Sequence, residues 1–86
     1  MRALPYDARM STAQTAPAIR LRTGVWAAWA SAEGLASEAA QARRIGHSQS
    51  TLNRILNGDV APGEKFIAAA LAATGMKFEE LFEVAS

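Results

Sequence analysis

Between Ser48 and Gly58 the chain places Gln49, Ser50, Asn53, Arg54 and Asn57, side chains that carry amide, hydroxyl or guanidinium groups and no carboxylate. On a helical wheel with Leu52 at zero, Ser50, Asn53, Arg54 and Asn57 cluster between about 100° and 200°. Leu52, Ile55 and Leu56 form the opposite, apolar face. Groups of this kind hydrogen-bond base edges and phosphate oxygens. A carboxamide matches N6 and N7 of adenine, and a guanidinium matches O6 and N7 of guanine.

Catalytic chemistry finds no comparable set. No pair of carboxylates flanks a histidine or a nucleophile, and no glycine-rich phosphate loop opens a helix after a strand. His47 is the one histidine and cysteine is absent, so the sequence implies no metal site, no disulfide and no cofactor. His47 itself reads as a partly packed turn residue.

The elements that must hold these side chains are helical. Of 86 residues 20 are alanine, the best helix former and a poor strand former, so the expected class is all-α. Residues 1–17, interrupted by Pro5 and Pro17 and lacking an apolar period, read as a flexible N-terminal arm, and 18–86 as one domain. The first helix is expected over Ala18–Ala32, with Leu21, Val25, Ala28 and Trp29 on one face, Trp26 widening it, and Gly34 ending it. Ser37 should cap a second helix with Ala39, Ala42 and Ile45 inward, and Gly46 should end it in a left-handed turn. Ser48 should cap the third helix, which runs to about Asn57 and stops at Gly58. A fourth is expected from about Gly63 to Thr74, with Phe66, Ile67, Ala70 and Leu71 inward. A short fifth is expected from Met76 to Val84.

The net charge of +1 conceals a division: residues 1–57 hold seven Arg and three acids, and residues 58–86 hold two Lys and five acids. That asymmetry suits a domain turning one face to phosphates. No apolar run is long enough for a membrane span, no secretory h-region follows Arg2 and Arg9, and the composition fits a cytoplasmic protein.

The segment ARRIGHSQSTLNRILNG resembles the helix-turn-helix domain of the phage repressor and Cro family, also called the xenobiotic-response-element type. Small Ala42, Ile45 followed by Gly46, and Leu52 with Ile55 stand where that pattern wants them. Pro62 and the TGMKFEELF ending match its later helices, and the likeness spans about Ala18 to Val84. The resemblance implies a five-helix lambda-repressor-like fold whose third helix enters the major groove. It further implies base contacts from Gln49, Ser50, Arg54 and Asn53. It implies backbone contacts from Ser37, Arg43, Arg44, Ser48, Thr51, Asn57 and Lys65. Gln41 departs from the pattern, which normally buries a leucine there. Glu38 replaces a usual glutamine, and Asp59 stands where basic residues are common; both acids would repel phosphate.

Arg2, Arg9, Arg20 and Arg22 are further candidates, reaching DNA from the arm. The function implied is a sequence-specific regulator of phage or prophage repressor type, concerned with immunity. Its expected partner is a double-stranded operator, bound as a homodimer or in tandem, with Phe78–Val84 as the dimer face. It needs no small-molecule ligand and no membrane. The alternative is a protein-interaction module of the same fold, antitoxin-like or regulator-binding, with little DNA binding.

Overall fold

The computed structural model describes residues 17–85; the arm lies outside them, apart from Pro17. Seven elements follow in order: β1 (Ala18–Leu21), α1 (Thr23–Ala32), α2 (Glu38–Ile45), α3 (Gln49–Leu56), α4 (Glu64–Thr74), α5 (Phe78–Leu81) and β2 (Phe82–Ala85). The fold is mostly helical, with the five expected helices.

Two of those helices are shorter than their periodicity predicts, because both ends of the domain are strands. Residues 18–21 leave the first helix and pair antiparallel with residues 82–85, of which 82–84 leave the last. The register sets Ile19 opposite Val84, Arg20 opposite Glu83 and Leu21 opposite Phe82. The Arg22 amide donates to the Leu81 carbonyl at 2.8 Å, continuing the ladder into the start of α1. Leu21 and Phe82 are buried, so the pairing places two apolar side chains over the helices while tying the domain's ends together.

The core is continuous: Leu21, Trp26, Trp29, Ala30, Ala42, Ile45, Leu52, Ile55, Phe66, Ala70, Leu81 and Phe82. Trp26 is its hub, tilted against Trp29 at 5.0 Å between centroids and against Phe66 at 6.0 Å. Phe66 meets Phe82 edge-on at 6.4 Å. Ala28, expected inward, is exposed, and Ala30 takes the buried position on α1.

Gln41 closes the layer between α1 and α2. Its Oε1 accepts from the Trp26 indole N–H at 2.9 Å, and its Nε2 donates to the Leu35 carbonyl at 3.1 Å. Leucine at this position fills space; glutamine here fills it and satisfies a buried donor as well.

Candidate nucleic-acid interface

Two serine caps begin α2 and α3, and a glycine turns the chain between them. Ser37 Oγ accepts from the Ala40 amide at 3.1 Å, satisfying one of the open donors in the first turn of α2. Glu38 in that turn and Arg43 and Arg44 in the last suit the helix dipole. Gly46 then adopts φ 75°, ψ 31°, the left-handed region. The amides of Gly46 and His47 return to the carbonyls of Arg43 and Ala42. His47 packs its ring edge-on to Phe66 at 5.5 Å, the partly packed role its position suggested.

After this turn Ser48 caps α3. Its Oγ accepts from the Thr51 amide at 3.1 Å and donates to Thr51 Oγ1 at 2.8 Å. Leu52 and Ile55 are buried at 0% and 5% exposure, Leu56 is half-buried, and Gln49, Ser50, Thr51, Asn53, Arg54 and Asn57 are all exposed. One helix thus carries a dry face and a polar face, as its sequence pattern predicts.

The candidate contact residues divide by what already occupies them. Gln49, Ser50, Arg43, Arg54 and Lys65 have no side-chain hydrogen bond or ion pair among the described residues. Arg44 pairs with Glu33 at 2.7 Å. Asn53 donates to Glu38 Oε1 at 3.0 Å, and Asn57 donates to Asn53 Oδ1 at 3.1 Å. Ser37 and Ser48 use their oxygens as caps. Lys65, the second residue of α4, lies beside an open groove that it shares with His47, Thr51 and Phe66.

Two arginines grouped with the arm lie elsewhere. Arg20 is part of β1, and its Nη1 comes within 3.4 Å of the position a Cβ on Gly58 would take, just past the end of α3. Arg22 precedes α1, donating to Glu83 Oε1 at 3.1 Å and to the Glu79 carbonyl at 3.2 Å. Both are therefore placed by the terminal sheet rather than by a free arm; Arg2 and Arg9 lie outside the described residues. Three features escaped the sequence reading: the clasp of Gln41 on Trp26, the bond from Asn53 to Glu38, and the approach of Arg20 to Gly58. Each joins residues at least 15 apart in the chain, beyond any local period.

Among the described residues no group of three or more His, Asp or Glu could hold a metal ion. No helix among them is long and apolar enough to cross a membrane.

Comparison with curated proteins and with solved structures finds no match. A family model described as helix-turn-helix matches residues 39–81, half of the chain, from the second residue of α2 to the end of α5. With its capped helix pair, left-handed glycine and exposed polar α3, the chain belongs to the helix-turn-helix family of the phage repressor and Cro type and is a DNA-binding regulator of transcription.

Proposed function

We propose that this protein is a sequence-specific repressor of phage or prophage type that lays α3 in the major groove of its operator. The observation that carries this is the exposed row Gln49, Ser50, Asn53 and Arg54 on a helix whose other face is buried. Gln49 and Ser50 stand at the free N-terminal end of α3, where a recognition helix meets base edges. Gln49 suits adenine, and Arg54, one turn on and unpaired among the described residues, suits guanine. Arg43, Lys65, Asn57, Thr51 and the hydroxyl hydrogen of Ser37 serve the phosphates. Arg44 joins them by exchanging Glu33 for phosphate. That exchange is cheap, because an exposed ion pair is worth roughly 0–1 kcal/mol. Ser48 contributes as a cap that orients the reading end.

One head with so few cations binds weakly, so the operator is read by two copies. Phe78, 37% exposed, and Val84, 64% exposed, are the large apolar side chains left uncovered among the described residues, and both lie in the Phe78–Val84 segment proposed as the dimer face. Selection of bound duplexes from a randomised library at about 150 mM salt, where purely electrostatic binding is suppressed, tests the reading. Enrichment of a sequence with two-fold symmetry supports it. No enrichment by a folded sample rejects it in favour of a protein-interaction module. Glu38 and Asp59, acids beside the α3 face, are what favour that second reading.

A further inference from the structure

Of the two acids beside the polar α3 face, Glu38 is the one hydrogen-bonded to its side chains. Glu38, the first residue of α2, accepts from Asn53 Nδ2 at 3.0 Å, and Asn53 Oδ1 accepts from Asn57 Nδ2 at 3.1 Å. Three side chains, from α2, α3 and the residue that caps the end of α3, form one line. The ion pairs among the described residues use Glu33 and Glu83; Glu38, like Asp59, Glu64, Glu79 and Glu80, makes none, and is distinguished by its bond to a side chain of the α3 face.

The line determines which atoms remain for a ligand. A carboxamide offers two donors and two lone pairs. Asn53 commits one donor to Glu38 and one lone pair to Asn57, so turning its amide over breaks both bonds. Its remaining donor is held in one direction. Glu38 keeps Oε2 and offers acceptors alone. In the major groove an acceptor finds a donor at cytosine N4 or adenine N6. It is repelled by guanine O6 and N7, by thymine O4 and by phosphate.

We propose that Glu38 is a specificity-determining residue of the reading face. It positions Asn53 and admits beside it a base that presents an exocyclic amino group. This rests on the proposed reading of DNA by α3. The same charge opposes phosphate wherever no amino group answers it. Non-specific binding is almost wholly electrostatic, so Glu38 lowers affinity for unrelated DNA more than for the operator.

The test is library selection with the wild type, Glu38→Gln and Asn53→Ala, each checked for native helicity. Glu38→Gln keeps an acceptor for Asn53 and removes the charge. The wild type should enrich cytosine or adenine at one position of each half-site. Glu38→Gln should relax that position by about fivefold or more while the others persist. It should also tighten binding to an unrelated duplex and steepen the salt slope by about one unit. Asn53→Ala should lose the same position. Wild-type base preference and unchanged non-specific affinity in Glu38→Gln overturn the proposal and leave the reading by α3 intact. A wild type that enriches nothing removes that reading, and this proposal with it.

Discussion

Replacing Gln41 by leucine, the residue the family pattern favours, should destabilise this protein. Trp26 is 2% exposed, and its indole N–H has Gln41 Oε1 as its partner at 2.9 Å. Leucine leaves that donor buried and unpaired, at a cost of about 1–3 kcal/mol. It also frees the Leu35 carbonyl, which water can reach at a half-buried position. Against this, an apolar side chain at half burial contributes roughly 1 kcal/mol. The net loss is centred near 1 kcal/mol and reaches about 2, and the central value is a fall of roughly 4–8 °C in Tm for a domain of this size. Urea unfolding followed by far-UV ellipticity measures it without relying on tryptophan emission. The cause is isolated by a double-mutant cycle with Trp26→Phe. Once the indole N–H is gone, Gln41→Leu should cost little, so the two changes should couple by about 1 kcal/mol or more. A Gln41→Leu variant as stable as the wild type, or additive effects in the cycle, would refute the reasoning.

Other outcomes follow from single contacts. Gly46→Ala should cost about 1–2 kcal/mol by forcing a β-carbon against its own chain in the left-handed region, with no added clash from the rest of the fold, where nothing lies within 4 Å of the new atom; thermal melts check it. Arg54→Ala should lose about 1–3 kcal/mol of operator affinity and relax preference at one base pair while Tm holds, read by titrating single-substitution duplexes. Val84→Lys should fold normally, since the side chain is 64% exposed, but sediment as a monomer and bind a single half-site.

The centre of the molecule was legible because its signals are local. Ser37 and Ser48 cap the next turn, Gly46 supplies a left-handed residue, and Leu52 and Ile55 repeat at helical spacing. The ends were misread for the same reason. Leu21 and Val25 fit a helical period, yet four residues at each end pair across the whole domain instead. Ala28 shows a related limit: alanine fits either face of a helix, so its burial has no signature in sequence. The number of charges is plain in the sequence, but which of them are free is not. Arg22 meets Glu83 only because the strands meet, and Arg44 meets Glu33 across a helix junction. Gln41 departs from the pattern because the Trp26 indole N–H needs its oxygen, a partner 15 residues away.

Reading of DNA by the exposed face of α3 is the proposal on which the others rest. Backbone amide shifts of the labelled protein, recorded while an enriched duplex is added, test it most directly. The largest changes should fall on Ser48–Arg54, with smaller ones at Ser37, Arg43 and Lys65 and little on the exposed side of α1. Changes concentrated on another surface, with α3 unmoved, would contradict it.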